Sequence, residues 1–322
     1  MTYWTKTDRE GYEAWISETS KLSVTIIPTL GSKMVSLLNK ETGREWLWRS
    51  DKPLGNQGYG SAFGDGDESG WDEMFPGINV CAYPDEPWRG RIVPDHGEVW
   101  SLPWQAQADN GTLRCNVQGR EFPYTLDKAV SFIADDTLRI EYTVTNLSDY
   151  PFSFLWAAHP LLRAEAGMKL RVPDGLKTIA MSYSAQTRLG NFGAKHRWPI
   201  PDLSLFRTES TRDHGAPIDL SVLEPNEGRY AEKYYFADEL AEGWAELCDP
   251  VTDEAITFRF PTEQVPYLAV WANYGGYAGH YHFAIEPATG TMDDLAFAMS
   301  ENRTSVIAPG GMYRWYLETC VR

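Results

Sequence analysis

The chain has 322 residues, 43% of them hydrophobic, and a formal net charge of −16 at pH 7. This apolar fraction is enough for a large core and argues against disorder. The negative charge disfavours nucleic acid and anionic membrane surfaces, both of which select clusters of Lys and Arg. It also disfavours a phosphorylated ligand, which needs local positive charge.

Two further features of the sequence concern the cellular compartment of the protein. The first residues lack the basic segment and apolar run of a secretory signal, and no run of about 18 apolar residues predicts a membrane span. The four cysteines are far apart and form no C-x-x-C pair; they are Cys81, Cys115, Cys248 and Cys320. Isolated thiols are typical of a reducing environment. We therefore expect a cytoplasmic protein, as a monomer or a homodimer.

Alternation of apolar and polar residues with a period of two runs along the chain and predicts half-buried antiparallel strands. A Gly-rich stretch at Gly55–Gly70 predicts a long surface loop, a kind of segment that is often functional. Asp135-Asp136 and residues 146–149 predict hairpin turns. The alternating segments are residues 22–26, 124–132, 138–144, 152–156, 281–285 and 313–317.

Helical signals are scarce. Thr291 to Ser300 predicts a helix, with Thr291 as the N-cap and two aspartates in the first turn. A second short helix is predicted within Tyr230–Leu240. No repeat of fixed period and no Pro/Gly/Ser linker divides the chain. We predict a single all-β domain over residues 1–322, an antiparallel sandwich with few short helices.

Three titratable residues lie where strands begin or end, which is where sites tend to form. His96 precedes a glycine in a turn-like stretch, and His159 precedes a proline after an apolar strand. Glu286 ends the strand at 281–286, and alternation directs it away from Phe283 and Ile285. A carboxylate directed into a cleft is costly unless it is paired or functional. Each residue could also have a purely structural role.

A metal site is a weaker hypothesis. His280 and His282 form an H-x-H pair on one strand face, a pattern that can present two imidazoles to a metal. Glu286 would stand about 13 Å further along, at a rise of about 3.3 Å per residue, which is too far to complete one site. Motifs for nucleotide binding, zinc proteases and α/β-hydrolases are missing from the sequence. We expect no metal and no cofactor.

Three segments together resemble the aldose 1-epimerase (galactose mutarotase-like) family. They are His96-Gly97, the alternating strands from Phe122 to His159-Pro160, and Phe283-Ala284-Ile285-Glu286-Pro287 followed by a Thr-Gly turn. The resemblance spans roughly residues 20–320 in order and spacing. It implies a β-supersandwich with a sugar cleft on one sheet, and a free sugar as the small-molecule partner.

The resemblance also implies roles. His96 and His159 would flank the sugar ring, and Glu286 would be the base that takes the proton of the anomeric hydroxyl. His159 would protonate the ring oxygen, since imidazole and carboxylate suit these roles near neutral pH. For that, a nearby carboxylate should raise the pKa of His159. His96 would donate a second hydrogen bond.

This sequence departs from the best-known members before the first histidine. An Asn-Arg pair is absent, and Gly70–Gly77 stands in its place; Asp95 replaces the usual Asn. Among the residues of that segment, Trp71 could cover a sugar face, and Asp72 or Glu73 could bind hydroxyls, or all three could be structural. Four further residues are candidates to line the pocket, namely Arg120, Trp100, Lys233 and Trp271.

Three alternatives remain at this level. A non-catalytic carbohydrate-binding protein would use the tryptophans but has no need of an acid–base pair. An epimerase for a phospho- or sulfo-sugar would need a cation cluster, for which Arg89, Arg91 and Arg120 are the candidates. A cupin-like metalloenzyme would contain bound metal. The sequence does not identify the sugar.

Overall fold

The computed structural model describes residues 2–201 and 218–322, and almost all regular structure in them is β. Short 3₁₀ turns occur at Phe63–Asp65, Ala185–Thr187 and Asn226–Gly228. One α-helix is present in the described part, α1 (Leu295–Ser300). The strands are β1 (Thr5–Arg9), β2 (Tyr12–Glu18), β3 (Leu22–Ile27), β4 (Lys33–Asn39), β5 (Trp71–Met74), β6 (Cys81–Ala82), β7 (Ile92–Val93), β8 (Gln105–Asp109), β9 (Thr112–Gln118), β10 (Tyr124–Ala134), β11 (Thr137–Asn146), β12 (Phe152–Phe154), β13 (Ala157–Arg163), β14 (Lys169–Arg171), β15 (Thr178–Ser184), β16 (Lys195–Arg197), β17 (Tyr230–Phe236), β18 (Trp244–Cys248), β19 (Ala255–Arg259), β20 (Tyr267–Tyr274), β21 (Tyr281–Ala288), β22 (Ser305–Ile307) and β23 (Met312–Val321).

Two large antiparallel sheets carry the fold. The first has the order β1-β2-β3-β4-β5-β13-β21-β20-β17-β15-β16, and the second has the order β14-β18-β19-β23-β11-β10-β9-β8. Two-stranded ribbons join β12 to β22 and β6 to β7. The predicted all-β class is therefore confirmed. No helix within residues 2–201 and 218–322 has the length and apolar character needed to cross a membrane.

Each alternating segment contains a strand, although the one at 152–156 ends at Phe154, because side chains of period two bury one face of a sheet. Asp135 and Asp136 connect β10 to β11 as predicted. On β21, Phe283 and Ile285 belong to the main core, whereas Ala284 belongs to a separate cluster with Phe63. The parity of the strand therefore places Glu286 on the face opposite to Phe283, as expected.

The main core lies between the two sheets. Trp71 of β5 packs edge-on against Phe258 of β19, with ring centroids 5.6 Å apart. A polar network also crosses this interface. Glu73 accepts hydrogen bonds from Tyr142 of β11 (2.8 Å) and from the indole of Trp156 (3.0 Å), and Lys128 of β10 lies 3.2 Å from it. All its members are buried, and each supplies a partner that a buried polar group requires.

Of the two helix predictions, one was wrong and the other placed the start of the helix too early. Residues 230–236 form β17 instead of a helix, because Tyr234, Tyr235 and Phe236 suit a pleated surface and pair on both sides, with β15 and β20. The helix predicted from Thr291 begins only at Leu295. Its N-cap is Asp294, whose carboxylate accepts a hydrogen bond from the backbone N–H of Phe297 at 2.8 Å.

Candidate functional site

Three adjacent strands of the first sheet, β5, β13 and β21, place the central residues of the site. His159 pairs in register with Asp72 on β5. On the other side of β13, Ala157 pairs with Ala288 and Leu161 with Ala284, so His159 stands across from Glu286. Side chains at paired positions lie on the same face of a sheet. Asp72, His159 and Glu286 therefore form a row on the face that points away from the main core.

A cavity of about 240 Å³ lies over this face. That volume exceeds the roughly 30 Å³ share of one water molecule in the liquid, so a small molecule can enter. Both polar and aromatic side chains surround it. Among the residues lining it are His96, His159, Glu286, Lys233, Asp293, Trp271, Tyr183, Tyr277, His282, Phe63, Glu68 and Asp95.

His96 reaches the cavity from the loop after β7. Its backbone is left-handed (φ +58°), and its N–H donates to the carbonyl of Ile78 at 2.6 Å. Gly97 follows with φ +73°, and a Cβ there would lie 2.1 Å from the carbonyl oxygen of Phe75. Only glycine permits this close approach, so the His-Gly pair fixes where the imidazole enters the site.

The His96 ring is held from two sides. Its Nδ1 lies 2.9 Å from Oδ1 of Asp95, and the Phe63 ring stacks on it at 4.3 Å with planes 13° apart. Asp95 also accepts a hydrogen bond from the backbone N–H of Phe63 at 2.7 Å. Burial would raise the pKa of Asp95, but His96 and this N–H outweigh burial and lower it. Asp95 is thus an ionised carboxylate in direct contact with the His96 ring.

His159 lies 5.1 Å from His96 between ring centroids, and its Nε2 lies 4.0 Å from Oε1 of Glu286. Contrary to the expected raised value, the pKa of His159 lies well below its ordinary value. Burial is the main cause, followed by the positive charges of His96 and Lys233. Its Nδ1 makes no hydrogen bond within the described residues. His159 is therefore neutral in this arrangement.

Glu286 is completely buried at the base of the cavity. Its Oε2 lies 2.7 Å from Nζ of Lys233, which also lies 3.0 Å from Oδ1 of Asp293. Burial raises the pKa of Glu286, and Lys233 opposes that rise. Asp293 accepts hydrogen bonds from the hydroxyls of Tyr235 (2.8 Å) and Ser182. The lysine is thus held between two carboxylates, and it favours the ionised form of Glu286.

One wall of the cavity is aromatic. Trp271, half-buried on β20, lies 5.8 Å from Tyr183 and 6.0 Å from Tyr277 between ring centroids. His282 continues this wall, 6.4 Å from Trp271. Burial lowers the pKa of His282 to about 3, with a further contribution from the charge of His280. Flat aromatic faces of this kind suit the C–H face of a sugar ring.

The structure separates the predicted binding residues into two groups. Lys233 and Trp271 line the cavity, and Asp72 lies on the cavity face of β5 beside His159. Trp71 and Glu73 do not contribute to the cavity, because they occupy the opposite parity on β5 and lie in the core between the sheets.

Trp100 and Arg120 also lie outside the lining. Trp100 is buried behind Phe63 and donates its indole N–H to the carbonyl of Asp95 at 2.8 Å. Arg120 stacks its guanidinium on Tyr59 at 4.4 Å. Both support the loops around the cavity and do not face it.

Sequence reasoning missed several residues of the site, among them Asp95, Phe63 and Asp293. Asp95 was noted only as a departure from the family pattern, Phe63 was an unremarked part of the Gly-rich loop, and Asp293 was assigned to a helix. A carboxylate next to His96 was a usable signal for Asp95. For Phe63 and Asp293 there was none, because their positions depend on chain segments far away in sequence.

The metal hypothesis finds no support in the part of the chain that the structure describes. His280 contacts Glu68 (3.0 Å) and His282 faces the cavity. No group of three or more His, Cys, Asp or Glu side chains among residues 2–201 and 218–322 is arranged to hold a metal ion.

Comparison with known proteins identifies the fold. No family model matches the sequence, and no curated protein matches it. A solved structure of a galactose mutarotase-like protein from Lactobacillus casei superimposes with a TM-score of 0.64, covering 99% of this chain and 100% of that one at 16% identity. The chain has the galactose mutarotase-like fold.

Two further structures with the galactose mutarotase-like fold agree. A galactose mutarotase-like protein from Clostridium acetobutylicum gives a TM-score of 0.64 at 11% identity, covering 99% of this chain and 98% of that one. A galactose mutarotase related enzyme from Lactobacillus acidophilus gives 0.63 at 13%, covering 96% and 97%. The resemblance expected from the sequence is thus confirmed for the fold.

Proposed function

We propose that this chain is an isomerase of the aldose 1-epimerase type, which interconverts the α and β anomers of a free sugar by opening and closing its ring. The observation that carries the proposal is the convergence of Glu286, His159 and His96 on one cavity from three distant parts of the chain. A buried carboxylate with two imidazoles is an acid–base arrangement.

Ring opening needs one proton removed and one supplied. Glu286 accepts the proton of the anomeric hydroxyl, and His96, whose Nδ1 contacts Asp95, donates a proton to the ring oxygen. The bond between C1 and the ring oxygen breaks, C1 rotates about its bond to C2, and closure on the other face returns both protons. We assign the acid role to His96 because the pKa of His159 is lowered. His159 provides a hydrogen bond to the substrate.

The charges around the cavity favour a neutral sugar over an anionic one. Four carboxylates and one ammonium line it; they are Glu68, Asp95, Glu286, Asp293 and Lys233. Arg89, Arg91 and Arg120, the candidate cations for a phosphate or sulfonate, are not among its lining residues. An anionic group would thus meet net negative charge, which is unfavourable in a partly desolvated site.

The test is anomer exchange of freshly dissolved aldoses, followed by one-dimensional NMR. We expect the wild-type protein to accelerate exchange of at least one neutral sugar, and E286Q to abolish the acceleration while still binding the sugar. E141Q is the matched control, because Glu141 is exposed on β11 of the other sheet. Sugar binding without acceleration in the wild-type protein would instead identify a carbohydrate-binding protein. Full activity of E286Q would remove the assigned base.

A further inference from the structure

Two polar groups next to each other in the first sheet lack the hydrogen bonds expected of buried groups. His159 and Asp72 are paired across β13 and β5, and both residues are at least 95% buried. Within the described residues, Nδ1 of His159 has no hydrogen-bond partner, and neither carboxylate oxygen of Asp72 accepts a hydrogen bond. Paired residues of antiparallel strands have Cβ atoms about 4.5–5.5 Å apart. The missing donor and the missing acceptor are therefore neighbours.

Lys33, the other neighbour of Asp72, balances the charge of its carboxylate only in part. Nζ of Lys33 lies 3.3 Å from Oδ2 of Asp72 but 2.6 Å from Oδ1 of Asp67, so the lysine is held more closely by Asp67. Burial raises the pKa of Asp72 to about 7, against the opposing effect of Lys33. A carboxyl group that changes its charge near neutral pH thus lies beside the imidazole.

We propose that Asp72 is a positioning residue for His159, accepting a hydrogen bond from its Nδ1–H when a sugar occupies the cavity. This inference rests on the proposed function. The strand order β5-β13-β21 places Asp72 on one side of His159 and Glu286 on the other. A proton fixed on Nδ1 leaves the lone pair of Nε2 on the side of Glu286 and the substrate.

The chemical consequence is a second carboxylate–imidazole pair beside that of Asp95 and His96. With Asp72 ionised, His159 keeps its Nδ1 proton in this hydrogen bond, and its Nε2 can accept a hydrogen bond from a hydroxyl of the sugar. An outer partner of this kind fixes both the tautomer and the orientation of an imidazole.

Several charged or titratable groups face His159 and would contribute to its titration. The carboxyl groups of Glu286 on β21 and Asp72 on β5 lie beside it. Four basic groups contribute to its lowered pKa, namely His96 from the loop after β7, Lys233 on β17, His282 on β21 and Lys33 on β4. A pH profile alone therefore does not isolate Asp72, and the test needs a direct readout of the His159 ring.

That readout is the long-range ¹H–¹⁵N NMR spectrum of protein labelled in histidine, with the His159 signals assigned by comparison with H159Q. In the sugar-bound wild-type protein we expect Nδ1 to carry the proton. In D72A we expect a mixture of tautomers, and in D72N a lower pKa of His159. For D72A we also expect kcat to fall about 10- to 100-fold, as when outer partners of metal-bound imidazoles are removed, with KM little changed.

D67N is the control. It weakens the ion pair of Asp67 with Lys33, the lysine that also contacts Asp72, but residue 67 is not paired with His159 in the sheet. We expect D67N to lower stability and to leave the proton of the sugar-bound His159 ring on Nδ1, as in the wild type. A His159 spectrum and a kcat profile that stay the same in folded D72A and D72N would overturn the proposal. If no sugar is turned over at all, the proposed function fails, while the spectrum with a bound sugar still decides whether Asp72 holds His159.

Discussion

Lys233 and Glu286 form an ion pair of 2.7 Å although β20 lies between their strands. The contact is possible because β20 contributes only Ala269 at the level of Glu286, where it also pairs with Tyr235. A long side chain can pass over this small residue. The pair lies at the base of the cavity, where burial strengthens the interaction of two charges.

We predict that K233M shifts the acid limb of the activity profile upward. Glu286 must be ionised to act as a base, and burial already raises its pKa, while Lys233 lowers it. Removal of the ammonium therefore raises the pKa further, by about 1–3 pH units for a charge this close. The measurement is kcat/KM for anomer exchange from pH 4 to 9. Activity should be lost first at low pH and partly recovered at high pH.

The control is K40M, a surface variant whose lysine pairs with exposed Glu18. K40M should keep the wild-type pH profile. If the acid limb of K233M is not shifted, the role assigned to Lys233 is wrong.

The aromatic wall gives a prediction for sugar binding. W271A should raise the dissociation constant for the substrate about 2- to 10-fold, from the loss of an aromatic contact of about 0.5–1.5 kcal/mol. Titration of sugar into E286Q, followed by NMR, measures binding without turnover. The matched variant is W71F, since Trp71 is buried between the sheets. A larger effect on binding from W71F than from W271A would show that the wrong tryptophan has been placed against the sugar.

The network around Glu73 predicts a loss of stability. E73Q leaves Lys128 without its buried counter-charge and should lower the free energy of unfolding by about 3–5 kcal/mol. Urea unfolding followed by tryptophan fluorescence measures this. E73L/K128M removes both charges and should recover part of the loss, because no buried charge remains unpaired. If E73Q is as stable as the wild type but no longer binds sugar, Glu73 belongs to the site after all.

Gly97 predicts a difference between two glycine replacements. Both Gly97 and Gly90 have positive φ, so G97A and G90A each incur about 1–2 kcal/mol of left-handed strain. Only at Gly97 would the new Cβ overlap a backbone carbonyl, that of Phe75, which adds about 1–3 kcal/mol. Urea unfolding should therefore rank G97A below G90A in stability. G97A should also lose anomer exchange, because His96 is displaced; equal stability and activity of the two variants would argue against a tight backbone contact.

Much of the fold could be predicted from sequence, because the period of two in the side chains fixes both the strand class and the parity of each residue. Parity alone directed Glu286 away from Phe283, and the two aspartates at 135–136 located a hairpin. The three residues proposed for catalysis were named from predicted strand-end positions and family resemblance. Their convergence on one cavity is compatible with the roles proposed for them.

Only the tertiary structure showed which face of a fully buried strand meets the core and which meets the cavity. All four residues of β5 are buried, on both faces of the sheet, so the sequence did not show which face met the core and which met the cavity. For the same reason Trp71 and Glu73 could not be distinguished from Asp72 before the sheets were placed. The charge state of His159 also depended on distant neighbours, since burial and the cations around it lower its pKa. Alternation is a local property of the chain, whereas burial and electrostatic environment depend on segments brought together only by folding.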